Sequence, residues 1–280
     1  MYFPAEGVTK GEVLAYYHEI APVLLPHLRD RPLTLERYPE GVEGESFYQK
    51  DTPAHYPDWL RTYSKKYRHS ERVTHHPLVD DAADLLYLAN LGVLTFHTFL
   101  SRTADIEHPD LLVIDIDPPS DPDRESVPQS FAKAREAAHV LRAELERSGL
   151  DPLVKTSGKR GLHLALPLDG TLDFAEIREV LSGLFEKAIA AHPSLVTREV
   201  SKGKKRSRVY LDALRMALGA TVVAPYAVRP TPIASVSMPV TWEELDELDD
   251  PYLFTVRTAG ERVAAVGDLW NAIHTGDTIL

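Results

Sequence analysis

Leu111-Leu-Val-Ile-Asp115-Ile-Asp117-Pro-Pro119 is an apolar run that ends in two carboxylates two residues apart. In a strand that spacing places both acids on one face. Proline cannot donate to a sheet ladder, so Pro118 and Pro119 stop the strand where the acids stand. Two carboxylates at the open end of a buried strand suit hard divalent cations such as Mg²⁺ or Mn²⁺. The alternative is a pair of strand-end acids that cap a turn. A third acid at the end of another apolar run, Arg208-Val-Tyr-Leu-Asp212, favours the metal. In two-metal phosphoryl transfer, one cation lowers the pKa of the attacking hydroxyl and the other stabilises the leaving oxygen. Asp115 and Asp117 suit the bridging role, and Asp212 suits the nucleophile-side metal.

Between these acids lies Ser157-Gly-Lys-Arg-Gly-Leu-His163. It offers a hydroxyl, the cations Lys159 and Arg160, glycines that let a ligand approach the backbone, and the imidazole of His163. A triphosphate needs such donors. The segment is not a Walker A loop, because the Gly-x-x-x-x-Gly-Lys-Ser/Thr spacing is missing. An ordinary basic hairpin is the alternative, and His163 also reads as a half-buried strand histidine. His97, in Thr95-Phe-His-Thr-Phe99, precedes the Asp-x-Asp strand. If the two strands pair, His97 reaches the sugar or phosphate of a nucleotide; otherwise it is structural.

The chain has 280 residues and a net charge of −11, which argues against a general nucleic-acid coat protein. Its basic residues are nevertheless clustered, at Lys65, Lys66, Arg68 and His69, and again from Arg198 through Lys202, Lys204, Lys205 and Arg206 to Arg208. Acids concentrate at 80–84 and 243–250. A basic groove on an acidic body and plain solvated loops both fit. There is no cysteine, which excludes disulfides, zinc-thiolate sites and cysteine nucleophiles and fits an intracellular location. No apolar run reaches membrane-spanning length and no signal peptide opens the chain, so no membrane partner is expected.

Thr9-Lys-Gly-Glu12 reads as a capping box, followed by Val13, Tyr16, Tyr17, Ile20 and Leu24 at helical spacing. Pro22 and Pro26 are expected to kink or end that helix. Strands are expected at 33–38, 47–50, 93–100, 111–117, 153–156, 162–167, 209–212 and 221–224. Helices are expected at 82–91, 128–148, 174–191 and from 241. Residues 51–79 show little periodicity and read as loops with short elements. Strands and helices mix without strict alternation, which gives an α/β or α+β domain with a mixed sheet.

These segments, in this order, resemble the primase-polymerase family of bacterial and archaeal non-homologous end joining. That family is the polymerase domain of the multifunctional DNA ligase D, within the archaeo-eukaryotic primase superfamily. The resemblance also rests on Leu25-Pro-His-Leu-Arg-Asp-Arg-Pro32, Phe47-Tyr-Gln-Lys50, Pro57-Asp-Trp-Leu60, Ala220-Thr-Val-Val-Ala-Pro-Tyr226 and Val236-Ser-Met-Pro-Val-Thr-Trp-Glu-Glu244. It covers nearly the whole chain.

The resemblance implies an α+β fold: a mixed or antiparallel central sheet flanked by helices, as in the primase-like catalytic core. It implies one domain over 1–280, with an N-terminal subregion of about 1–90 and a catalytic core of about 91–280. It also implies nucleotidyl transfer from NTPs, in preference to dNTPs, to a primer 3′-OH at DNA breaks or gaps. Two Mn²⁺ or Mg²⁺ ions and recognition of a downstream 5′-phosphate go with that activity. Asp115, Asp117 and Asp212 become metal ligands. Ser157, Arg160, His163 and a basic residue from Lys205, Arg206 or Arg208 become triphosphate contacts, with Arg229 assisting. His97 approaches the sugar and Lys50 lies near the cleft. Lys10 matches a lysine implicated in contacting the 5′-phosphate. Phe47 and Tyr48 offer stacking surface for a base, although core packing suits Phe47 equally, and Lys65 and Lys66 belong to the DNA-binding basic surface.

A ligase and a Ku-like end-binding protein are the implied partners, and a prokaryotic cytoplasm, at the nucleoid during repair, the implied location. No ligase or phosphoesterase segment is present, so the chain reads as a stand-alone polymerase or an excised domain. After the third acid the family often reads Tyr-Leu-Arg-Asn; here Ala213-Leu-Arg215-Met216 keeps the arginine and loses the amide. The competing class is a non-catalytic DNA-end-binding module that recruits a ligase, and a third reading is a metal-dependent nuclease.

Overall fold

The computed structural model describes residues 1–67, 71–119, 126–199 and 207–275. Lys205 and Arg206, with Arg68, His69, Lys202 and Lys204, lie outside the described residues. In chain order the elements are α1 (Lys10–Leu28), β1 (Leu33–Arg37), β2 (Phe47–Gln49), β3 (Thr62–Lys66), β4 (Val73–Pro77), α2 (Ala82–Asn90) and β5 (Val93–Phe99). There follow β6 (Leu111–Asp117), α3 (Val127–Glu146), β7 (Leu153–Thr156), β8 (Leu162–Pro167), α4 (Phe174–Ala191), β9 (Val196–Thr197) and β10 (Val209–Leu211). The last are β11 (Thr221–Val223), β12 (Pro239–Val240), α5 (Trp242–Glu247), α6 (Ala259–Val266) and α7 (Ala272–Thr275). The fold is α+β.

The chain forms two compact units. The first comprises Met1–Ile106 with 221–237 and 254–268; the second comprises 107–220, 238–253 and 269–280. The expected subdivision near residue 90 does not mark their limit. Helix α2 and strand β5 share the first unit, because β5 is a central strand of that unit's sheet.

The first unit's sheet has the order β11-β5-β1-β2 and is antiparallel throughout. Helix α1 starts at the expected capping box: Thr9 Oγ1 accepts from Glu12 N at 3.2 Å, and Glu12 returns a carboxylate to Thr9 N at 2.8 Å. Its buried stripe, Val13, Tyr16, Tyr17, Ile20 and Leu24, is the helical period read from the sequence. Tyr17 meets Phe96 of β5 edge-on at 5.3 Å and donates to Leu94 O. The helix runs through Pro22 and Pro26 to Leu28, against expectation. Pro22 and His18, whose carbonyl it leaves without an N–H partner, are both exposed, so water can serve that carbonyl while the opposite face stays packed.

Residues 62–77 contain the antiparallel pair β3–β4, where the sequence suggested loops with short elements. Its residues are polar on both faces, so no hydrophobic period announces it. His76 anchors it: Nδ1 lies 3.0 Å from Leu33 O, and the ring packs 5.0 Å from Phe99.

The second unit's sheet has the order β12-β7-β8-β6-β10-β9, antiparallel except for β9 beside β10. Phe131, Ala134, Ala138, Leu141 and Leu145 form the buried stripe of α3; Phe174, Ile177, Leu181, Phe185 and Ala188 form that of α4. Leu112 of β6 faces these helices, sharing an apolar recess with Leu145 and Leu181. By alternation, Ile114 and Ile116 point the same way, while Val113, Asp115 and Asp117 point to the other side.

Candidate active site

Strand pairing in the second unit assembles the acids. His163 of β8 is paired with Asp115 of β6, and Lys155 of β7 with His163. Tyr210 and Leu211 of β10 are paired with Asp117 and Ile116, so the next residue, Asp212, comes opposite Asp115. Two residues separated by almost a hundred positions therefore meet because their strands are antiparallel neighbours. Asp115 is 14% exposed at its side chain and Asp212 22%, whereas Asp117 is open to solvent.

The acids are held by cations. His163 Nε2 lies 3.4 Å from Asp115 Oδ1. Arg215 Nε lies 3.2 Å from Asp115 Oδ2 and 3.7 Å from Asp212 Oδ2. The 3-10 turn Ala213–Arg215 brings that guanidinium back, and Asp212 caps the turn by accepting from Leu214 N at 2.9 Å. Burial alone would push the Asp115 carboxyl up. The hydrogen bond and charge of His163, then the charges of Arg215 and Lys155, outweigh it and hold Asp115 below the usual carboxylate range. Three carboxylates that share a face and gather positive charge are a donor set that fits a hard divalent cation.

The turn between β7 and β8 is built against β6. A Cβ on Gly161 would stand 2.6 Å from Ile116 O, so only glycine allows this approach. Gly158 takes φ +69°. The Ser157 hydroxyl accepts from Lys159 N at 3.2 Å and from Gly161 N at 3.1 Å, while the Lys159 and Arg160 side chains project into solvent. Ser157, Lys159, Arg160 and His163 thus lie on one turn beside the acids' strand. Arg208, by contrast, ion-pairs with Glu199 at 3.0 Å and donates to Pro193 O. Met216, at the family's usual asparagine position, is fully buried.

The first unit carries the other expected residues. His97 of β5 is paired with Thr34 and Val223, within its own unit's sheet. Strand β6 belongs to the other sheet, so the condition under which adjacent pairing would carry His97 to a nucleotide is not met. His97 Nε2 instead lies 3.3 Å from Glu36 Oε2, with the Tyr48 ring 5.8 Å away.

Phe47 and Tyr48 sit on the edge strand β2 and are 46% and 62% exposed. Core packing of Phe47 is thereby ruled out; the Arg37 guanidinium stacks on its ring at 5.1 Å. Lys50 follows β2 and is exposed, Lys10 opens α1, and Arg229 is buried. Lys65 lies over Tyr67 at 5.9 Å, and Lys66 pairs with Glu71 at 3.4 Å. Sequence reading assigned no role to Lys155 or Glu36. The signal for both is a charged residue inside an apolar strand.

Comparison with known proteins returned consistent results. The family model described as LigD, primase-polymerase domain, matches residues 9–270. The chain is 33% identical over 266 residues to the bifunctional non-homologous end joining protein LigD of Bacillus subtilis, covering 95% of this chain and 41% of that protein. It is 32% identical over 271 residues to the multifunctional non-homologous end joining protein LigD of Mycolicibacterium smegmatis, covering 95% and 34%. The chain therefore spans well under half the length of these relatives. A solved polymerase domain from Mycobacterium tuberculosis ligase D, in complex with DNA, superposes with a TM-score of 0.88 at 29% identity, covering 99% of this chain and 96% of that one.

Proposed function

The chain belongs to the LigD primase-polymerase domain family, and from that premise we propose that it transfers nucleotides from NTPs or dNTPs to a primer 3′-OH at DNA breaks or gaps. The observation that carries this reading is the row His163–Asp115–Asp212 with Asp117 beside it, bordered by the Ser157–Gly161 turn. Binding a DNA end would not require three clustered carboxylates. Divalent cations held by Asp115, Asp117 and Asp212 would supply charge neutralisation at the reacting phosphorus and acidify the primer hydroxyl.

The protein's own groups do the rest. The Ser157 hydroxyl, with Lys159 and Arg160, holds the triphosphate. His163 and Arg215 keep Asp115 ionised and oriented. The primer 3′-oxygen forms the new bond to the α-phosphorus as pyrophosphate leaves. A preference for ribonucleotides belongs to the same reading. Exposed Phe47 and Tyr48 stack on unpaired bases, while Lys10, Lys65 and Lys66 take DNA phosphates, Lys10 the downstream 5′-phosphate. That the similar polymerase domain was solved in complex with DNA supports DNA as the partner. A ligase would consume the extended end, and a Ku-like protein would present it.

The deciding experiment is extension of a 5′-phosphorylated gapped duplex with Mn²⁺, comparing NTPs with dNTPs. Extension, with NTPs favoured, is expected. A native chain that binds the end without extending it would be a recruitment module. One that shortens the primer without nucleotides would be a nuclease.

A further inference from the structure

Leu214 is 71% exposed and Leu218 40%. A lone exposed leucine is ordinary, but these two stand on the run of turns that leaves the row of acids. Asp212 opens that run, and its carboxylate accepts from Leu214 N at 2.9 Å. Arg215 follows and turns back to Asp115 and Asp212. The run is fixed along its length. Met216 N donates to Ala213 O at 3.2 Å, Ala217 N to Arg215 O at 3.0 Å and Ala220 N to Ala217 O at 2.9 Å. The Met216 side chain is fully buried, and its carbonyl accepts from Arg178 of α4 at 3.4 Å. A well-anchored turn thus holds two apolar side chains in water beside the carboxylates.

The strand order points to what meets them. Strand β6 lies between β8 and β10. The Ser157–Gly161 turn, assigned to the triphosphate, joins β7 to β8 on one flank of Asp115; Asp212 and the leucines follow β10 on the other flank. In phosphoryl transfer the attacking and leaving oxygens lie roughly in line across the phosphorus. Pyrophosphate that leaves toward the turn requires the primer 3′-oxygen to enter from the β10 flank. The deoxyribose that carries this oxygen presents a C–H face, the apolar part of the DNA nearest the reaction. Resting on the polymerase reading, we propose that Leu214, with Leu218 beyond it, packs against the primer's 3′-terminal nucleotide and holds its 3′-oxygen at Asp212. Small misplacements of a nucleophile are costly in rate, so the contact acts on turnover more than on retention of the DNA.

The test compares extension of matched and mismatched primer ends at saturating Mn²⁺, NTP and gapped duplex. A mismatch in the last pair shifts the terminal nucleotide and so removes the contact from the DNA side. Leu214→Asn keeps the volume and the backbone N–H but not the apolar surface. Extension of the matched primer should fall about tenfold in this variant, the lower end of what burying a leucine contributes. Extension of the mismatched primer, and affinity for the duplex, should each change by less than about twofold. Leu214→Met should restore the matched rate. Leu218→Ala should repeat the pattern at about threefold, and serves if Leu214→Asn fails to fold. Equal losses on matched and mismatched ends would mean that the turn only holds Asp212. An unchanged matched rate would mean that the leucines meet no primer. Either result overturns the inference. A native chain that extends neither end removes the polymerase reading itself, and the inference with it.

Discussion

The two sheets hold their chemistry in different ways. In the second unit, reactive side chains lie on adjacent interior strands, one opposite another, with Asp115, His163 and Lys155 withdrawn from solvent. In the first unit, Phe47 and Tyr48 sit on an edge strand and Lys65 and Lys66 on a polar strand pair, with Phe47, Tyr48 and Lys50 facing water. A buried row fixes geometry and strengthens electrostatics, which chemistry needs. An exposed edge offers rings and flexible cations, which recognition of a pliable strand needs. On the proposed function, the difference assigns catalysis to the second unit and DNA binding to the first.

The largest expected effect tests that separation directly. Asp115→Ala with Asp117→Ala should reduce extension by about a thousandfold or more, because several kcal/mol of charge stabilisation is lost. DNA-end affinity by fluorescence anisotropy should stay within about twofold. A comparable loss of DNA binding would mean that the acids organise the binding surface and that the units do not divide the labour.

A glycine pair sharpens the claim that the row needs a close-packed turn. Gly161→Ala sets a Cβ 2.6 Å from Ile116 O. The strand end must move, costing about 1–3 kcal/mol and about tenfold in extension. Gly183→Ala, on α4 of the same unit with nothing within 4 Å, should stabilise by about 0.5–1 kcal/mol. Chemical denaturation of both variants checks the signs.

The first unit's part is tested by Phe47→Ala and Tyr48→Ala. Base stacking is worth about 1–3 kcal/mol per ring, so affinity for an end with unpaired bases should fall about tenfold in either variant. Extension at saturating DNA should change little. If kcat falls instead, the edge strand belongs to the catalytic machinery.

How far these divisions were legible in the sequence depends on the range of each signal. The run from Leu111 to Asp117 and the residues from Leu153 to Pro167 announced β6, β7 and β8 at their observed limits, because period and flanking turns are local. The acids and the turn were legible as types. Their meeting was not, since it depends on which strands pair: Asp212 joins Asp115 through β10, while His97 is drawn into another sheet. Lys155 looked like one more strand residue until the register set it beside His163. The pair β3–β4 escaped because both its faces are polar, and the prolines of α1 misled because solvent exposure, not propensity, decided their tolerance.

The smallest effect concerns acid. His27 and His76 belong to the first unit, and burial lowers both below the ordinary 6.5 despite the help of Asp268 and Leu33 O. The unfolded chain takes up protons on these rings from about pH 6.5 downward while the folded unit resists, so their contribution to stability falls as pH drops below that value. Asp84, raised by burial in the same unit, acts in the opposite direction. In the second unit Asp115 is lowered, so its contribution is intact above the ordinary 3.8 and is lost only as pH falls through its depressed folded value. Between pH 6.5 and about 4, the first unit should therefore loosen while the second holds. Hydrogen exchange at pH 7 and pH 5, corrected for intrinsic rates, should show protection falling by a few-fold in β1 and β5 and staying level in β6 and β8. Equal losses in both would tie the units into one cooperative fold and remove the energetic side of the contrast. Loss confined to the second unit would reverse it, and would place the acid-sensitive group in the row of His163 and Asp115.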